Sequence, residues 1–283
     1  MAQHKWMSKW TSLGLAVGIA MAAPVAQAAS EWQVNTSGTG ASAATPITQL
    51  NIAGGGFVQI IPDFTDPTRF TFIEHGAYQA VQGDGETPFG GSDLTVVYQV
   101  SGTGSFLDPY SLNFSTGLVT LYSDPVHDFG TAAGIYGANN GTAFATLAVT
   151  AGGLDPISGL VSVTTVITPG GLTPGYLFDS TGKDLSLAAG TKLQLGIFNQ
   201  LSNPDELFVS EIVCELSGFS GAGCDGTPFA NTPLSFTVQD GGFVLMQPVP
   251  EPLAVHMTLG GLALLGWVAR RRRREHAALQ TGN

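Results

Sequence analysis

Apolar and polar residues alternate with a period of two along most of the chain's middle, and helical spacing is scarce. Leu94, Val96, Tyr98 and Val100 interleave with Thr95 and Gln99, and Val161, Val163, Thr165 and Ile167 interleave with Ser162, Thr164 and Thr168. Leu207, Val209, Glu211 and Val213 alternate with Phe208, Ser210, Ile212 and Cys214, which predicts a strand there too. Shorter strands are predicted at 57–61, 70–73, 112–114, 118–122, 143–149, 193–198, 234–238 and 243–246. Between them stand Gly54-Gly55-Gly56, Gln82-Gly83-Asp84-Gly85, Asn139-Asn140-Gly141, Pro169-Gly170-Gly171 and Asp240-Gly241-Gly242. Glycine and asparagine tolerate positive φ, so these clusters predict turns. Many short strands with glycine punctuation predict an all-β domain, an antiparallel β-sandwich or β-roll. Residues 36–45, small and polar, read as a flexible leader, and 247–250 as a stalk.

Both ends of the chain have a different character. Lys5 and Lys9 precede an apolar stretch from Leu13 to Ala23, and Ala26-Gln27-Ala28 has the small-x-small form of a signal-peptidase site. Residues 1–28 are therefore expected to form a signal helix cleaved before Ala29, leaving a β-rich extracellular domain at 29–247. Near the other end, Pro250 and Pro252 fix their own φ and push Val249 and Glu251 toward extended conformations, giving a strip that a processing enzyme can grip. The apolar residues 253–269 would span ~26 Å as a transmembrane helix, close to the ~30 Å hydrocarbon core. Arg270, Arg271, Arg272, Arg273 and Arg274 are costly to translocate, so residues 275–283 should stay cytoplasmic and the domain outside.

Pro-Glu-Pro, a short apolar helix and an arginine cluster, in that order over 249–274, resemble the PEP-CTERM sorting signal. Leu253-Ala254 stand where serine or threonine usually follows the second proline, and His256 interrupts the apolar run. The resemblance implies processing by an exosortase, a membrane cysteine transpeptidase of Gram-negative bacteria. It also implies a transient inner-membrane anchor, N-out and C-in, followed by display at the cell surface or in the extracellular matrix.

Charge narrows the partners of the domain. Residues 29–247 carry nineteen Asp and Glu against Arg69, Lys183 and Lys192, a net −16. That surface repels phosphate backbones and excludes nucleic acid as a partner. It is compatible with solubility, divalent cations or polysaccharide. Cys214 and Cys224 are the only cysteines, with no CxxC and no histidine near them. In an oxidising compartment they read as a structural disulfide, which would contribute roughly 3 kcal/mol by constraining the unfolded chain.

Catalytic patterns are thin, and no catalytic residue is assigned. His75 and His127 neighbour Glu74 and Asp128, but adjacent residues of a strand point to opposite faces. Gly218-Phe219-Ser220-Gly221 stops short of a nucleophile elbow because Ala222 takes the fifth position. Asp205, Glu206, Glu211 and Glu215 are candidate glycosidase acids, with exposed strand-face carboxylates as the plainer account. Gly38-Thr39-Gly40 imitates a dinucleotide fingerprint, yet Pro46 cuts off the helix it needs. No cofactor is expected. Asp63 with Asp66, Asp84 with Glu86, and Asp124 with Asp128 place hard oxygen ligands in turns and are the candidates for calcium, although aspartate also serves turns through its own backbone hydrogen bonds.

Gly102-Thr103-Gly104-Ser105-Phe106, the run from Gly117 to Pro125 and the terminal Phe243-Val244-Leu245 are similar to segments of flocculation-associated PEP-CTERM proteins. That resemblance implies a non-enzymatic surface protein acting in exopolysaccharide-associated aggregation. Two other readings stand beside it: a carbohydrate-binding module using Trp32, Tyr98, Tyr110, Tyr122 and Tyr136 as stacking faces, and a secreted hydrolase.

Overall fold

The computed structural model describes residues 31–84, 87–107, 110–188 and 190–247. Its main element is one antiparallel sheet of β3 (Leu50–Pro62), β4 (Arg69–Gln82), β5 (Asp93–Ser105), β6 (Ser111–Asp124), β7 (Thr142–Leu154), β8 (Val161–Leu172), β10 (Lys192–Leu201) and β11 (Ser235–Gln247). β11 returns to pair with β3, so the sheet closes as an eight-stranded barrel. Closure leaves no free strand edge. Three short strands, β1 (Trp32–Val34), β2 (Thr45–Ile47) and β9 (Leu177–Asp179), make a separate sheet in the order β2-β1-β9.

The period-two pattern follows from closure. One side of each strand faces the barrel axis, and an eight-stranded barrel is just wide enough for side chains to fill it. Leu94, Val96, Tyr98 and Val100 of β5 all point inward and are buried, as do Val161, Val163 and Thr165 of β8. Two voids of about 20 Å³ remain inside, each about the size of one water. The small sheet plugs the end where β3 begins and β11 finishes. Trp32, Val34, Ile47 and Leu177 are buried in the same apolar cluster as the barrel lining. A second apolar cluster lies outside the barrel wall, built on Phe57 of β3 and Ala77 of β4.

The antiparallel all-β expectation holds, but the sheet closes on itself where the pattern predicted two facing layers or a roll. Three glycine clusters predicted as turns, at 54–56, 169–171 and 240–242, lie inside β3, β8 and β11. Packing explains two of them: a Cβ on Gly54 would strike the Ala77 carbonyl, and one on Gly242 the Gly196 carbonyl, across tightly paired strands. In the third, Gly170 does take a positive φ of 71°, where the β7–β8 register shifts. Gly83 and Asp84, just after β4, and the cluster at 139–141 do mark breaks between strands, and Gly85 lies outside the described residues. Residues 36–45 are a packed segment instead of a loose leader, with Thr36 buried and its carbonyl accepting from the Ser123 hydroxyl. Residues 207–214 are helical instead of extended. Phe208, Ile212 and Val213 bury one side at helical spacing, and Asp205 caps the start. The predicted bridge forms: Cys214 on that helix joins Cys224 in the following loop, with Cα atoms 5.5 Å apart.

Among the described residues no helix is long and apolar enough to cross a membrane. Ala26, Ala28 and Ala29, the segment 249–274 and the predicted signal and transmembrane helices lie outside the described residues.

Candidate functional site at the seam of two insertions

Three connections of the barrel are far longer than hairpin turns; one, residues 173–191, carries β9 into the plug, and the other two form the seam. Residues 125–141 join β6 to β7 at the plugged end, and residues 202–234 join β10 to β11 at the opposite end. Both fold back over the outer wall of β3, β4 and β5 and meet there. Ile135 and Ala138 from the first share a buried cluster with Phe208, Ile212 and Val213 from the second. Thr95 of β5 pins the first insertion by donating its hydroxyl to the Ala138 carbonyl at 2.7 Å.

The second insertion starts its helix at Asp205, whose Oδ1 accepts the Phe208 amide at 2.8 Å. One α-helical turn, α1 (Glu206–Phe208), runs on as a π-helix (Val209–Leu216), a local geometry frequent at functional sites. From this helix Glu211, 8% exposed, reaches into the first insertion. Its Oε2 accepts the amides of Gly134 and Tyr136, both at 2.9 Å. Ile135 and Tyr136 have φ of 49° and 63°. A non-glycine residue held there costs roughly 1–3 kcal/mol and persists only where its surroundings fix it. Glu211 fixes it together with the Gly130 amide on the Tyr136 carbonyl and the Ala138 amide on the Gly134 carbonyl, both at 2.9 Å.

This backbone places the Tyr136 ring at the seam. Phe129 and Phe208 meet it edge-on, with centroids 5.5 and 5.3 Å away. Its hydroxyl donates to Oδ2 of Asp205 at 2.7 Å. Burial, and then that bond to a carboxylate, push the phenol up to about 12, so it remains a donor across the physiological range. Beside the ring opens a cleft of about 310 Å³ lined by Gly55, Tyr136, Phe129, Asp205, Gln79 and Gln239. A Cβ on Gly55 would lie 3.1 Å from the Phe208 ring, so bare backbone at this point lets Phe208 seat against the sheet.

Next to the cleft, Gln79 donates to Oδ2 of buried Asp93 at 3.1 Å, and Nδ1 of His127 hydrogen-bonds Oδ1 of the same carboxylate. The neighbouring Asp128, discounted in the sequence, is indeed not the partner of His127; that partner is Asp93, thirty-four residues away. Asp128 instead accepts from the Asn140 side-chain amide. Glu74 and His75 point to opposite faces as expected, Glu74 into the barrel and His75 onto the outer wall. Of the candidate acids, Asp205 and Glu211 belong to the seam through the bonds described above. Glu206 opens the helix and Glu215 lies near its end. Ser220 sits in the loop closed by the disulfide. Gly38 and Gly40 lie in a turn leading to a short 3-10 helix (Ala41–Ala43) and β2.

Trp32 and Tyr98 are buried in the main core, so they offer no stacking face. Tyr110 is 63% exposed, and Tyr122 and Tyr136 are half-buried. In the calcium candidate at the β3–β4 turn, Oδ1 of Asp63 accepts the Thr65 amide at 2.8 Å and its hydroxyl at 2.7 Å, while Arg69 pairs with Asp66 at 3.4 Å. Those oxygens already serve their own turn. Among the described residues no three His, Cys, Asp or Glu side chains gather to hold a metal ion, and Glu86 lies outside them.

Sequence reading missed a further polar group inside the barrel. The stacked rings of Tyr78 and Tyr98, 4.7 Å apart, both reach Oδ2 of Asp240, at 3.0 and 3.1 Å, and Tyr98 also lies 2.8 Å from Oε1 of Glu74. A Cβ on Gly76 would collide with the Tyr98 hydroxyl, and one on Gly56 would crowd both that hydroxyl and Glu74. Period-two glycines beneath inward tyrosines were the available signal.

No family model matches the chain, and no curated protein or solved structure is significantly similar to it.

Proposed function

We propose that the chain is an exported protein of the cell surface or extracellular matrix of a Gram-negative bacterium, sorted by an exosortase, with a non-enzymatic adhesive or structural role in exopolysaccharide-associated aggregation. The observation that carries this reading is the barrel's polarity. Trp32 pairs with Ile47 three residues before β3 begins, and Gln247 ends β11 beside Lys192 at the start of β10, so both ends of the described domain leave from the plugged end. All four connections at the opposite end present apolar side chains to solvent. They are Ile61 and Phe64 at β3–β4, Leu107 and Tyr110 at β5–β6, Ile157 at β7–β8, and Leu201 and Leu234 at β10–β11. Phe64 and Ile157 are 96% and 95% exposed. At the plugged end the large exposed apolar groups among the described residues are Val126 and Leu187, so the distal end holds most of them. Exposed apolar groups concentrated on one surface mark contact with other molecules. A tail-tethered barrel would thus hold its adhesive end away from the membrane.

Replacing Pro250-Glu251-Pro252 with alanines is expected to leave a longer, membrane-retained form, checked by intact mass and cell fractionation. An unchanged mature mass and location would sink the sorting reading. Cells lacking the protein should aggregate less, and normal aggregation would count against the adhesive role.

A further inference from the structure

We infer that the cleft between the two insertions binds one neutral pyranose ring of a polysaccharide chain, an assignment that rests on the adhesive reading and names its ligand class. A pyranose has a face of C–H groups and a rim of hydroxyls, each of which both donates and accepts. The cleft offers the counterpart of both. Tyr136 supplies an aromatic surface, and a fixed ring of this kind gives contact area at low entropic cost. It is fixed by edge contacts to Phe129 and Phe208, by its hydroxyl bond to Asp205, and by the Glu211 clamp on its backbone. The exposed amide of Gln239 can donate and accept, and Asp205 accepts.

Size and charge restrict the ligand further. At about 310 Å³ the cleft sits at the lower end of the ~300–1,000 Å³ typical of small-ligand sites, which suits one ring of a chain running out at both sides. Its lining includes a carboxylate and no lysine or arginine. A uronic or sulfated residue would therefore meet Asp205 without a compensating cation, on a domain already carrying −16. A neutral sugar meets no such penalty. The positive-φ backbone at Ile135 and Tyr136 orients the ring so that it both packs on the buried cluster and lines the cleft.

The test uses protein purified after export from a host that processes it. Calorimetric titration with glucan, mannan and galactan hexasaccharides, and with hexaguluronate, is run beside retention on the host's native exopolysaccharide. At least one neutral hexasaccharide is expected to bind, with no binding of hexaguluronate. Tyr136→Ala should weaken that binding about tenfold or more, the effect of losing an aromatic anchor. Gln239→Ala, at an exposed position, should weaken it while leaving the melting temperature unchanged, and Tyr136→Phe should retain more affinity than Tyr136→Ala. Failure of all three neutral probes, preference for hexaguluronate, or wild-type affinity in both alanine variants overturns the assignment. If the unaltered protein is still retained on native exopolysaccharide in that case, the cleft alone is wrong and the adhesive reading stands. If it is not retained, both fall.

Discussion

Glu211 is the residue on which the seam depends, and its role shows how local and distant signals differ. As a member of an apparent strand it reads as a surface acid. In the fold it is buried and accepts two backbone amides 75 and 77 residues away in sequence. Nothing near position 211 announces those partners. The turn aspartates are the opposite case. Asp63 and Asp225 each accept the hydroxyl and amide of the threonine two residues on, and those bonds hold both carboxyls below the usual range. Such turns can be read from Asp-x-Thr alone. Hydrogen bonds to a charged acceptor each contribute about 1.5–3 kcal/mol, and stranding buried donors adds its own cost, so Glu211→Ala should destabilise the domain by roughly 2–4 kcal/mol in urea unfolding. Glu211→Gln keeps a carbonyl acceptor and should lose less than half of that. Equal stability of Glu211→Ala and the unaltered protein would show that the clamp contributes nothing.

At the level of elements, alternation made most of the strands legible, because residues such as Leu94, Val96, Tyr98 and Val100 meet one environment on one face. Their lengths and the barrel's closure were not legible. β11 pairs with β3 across most of the domain, Val244 lying opposite Leu50, and no local pattern encodes that partnership. Glycine was the main source of error, since it permits positive φ and also permits close approach, and sequence does not say which is in use. The helix after Asp205 was misread for a related reason. Its β-branched and aromatic residues fit a period of two, while the deciding signal was the capping aspartate and the spacing of Phe208 and Ile212. Gly54 separates the two uses of glycine by experiment. In an open turn at ordinary φ, alanine would be neutral or mildly stabilising through the unfolded chain. Here its Cβ meets the Ala77 carbonyl and the Tyr78 backbone, so Gly54→Ala should cost roughly 1–3 kcal/mol, read as a lowered urea midpoint at unchanged slope.

The whole molecule carries an acid pair within an otherwise apolar barrel, and counting protons shows what state it favours. Three contacts join Tyr78, Tyr98, Glu74 and Asp240, but the two phenols supply only two protons. A proton on a carboxyl makes the third a full hydrogen bond; without it Tyr98 divides one proton between two buried carboxylates. Burial raises the pKa of Glu74 above its ordinary 4.5, against the hydrogen bond from Tyr98, and burial followed by the charge of Glu74 raises that of Asp240 above 3.8. The folded chain therefore keeps protons that the unfolded chain releases near pH 4. Wherever the folded state binds more protons, stability falls as pH rises, so this contribution is full below the unfolded values and is lost through the higher folded ones. His75 acts in the other direction: burial lowers its pKa below 6.5, and its share of stability is lost as the medium becomes acidic. Above pH 6.5 little of the His75 effect remains, which isolates the acid pair. Urea unfolding there should show a free energy that declines toward about pH 8.5. Asp240→Asn should flatten the decline, and Asp240→Asn combined with Glu74→Gln should nearly remove it. A wild-type profile that is level or rising over that interval would mean that both carboxylates are ionised in the native barrel, with Tyr98 sharing one proton between them.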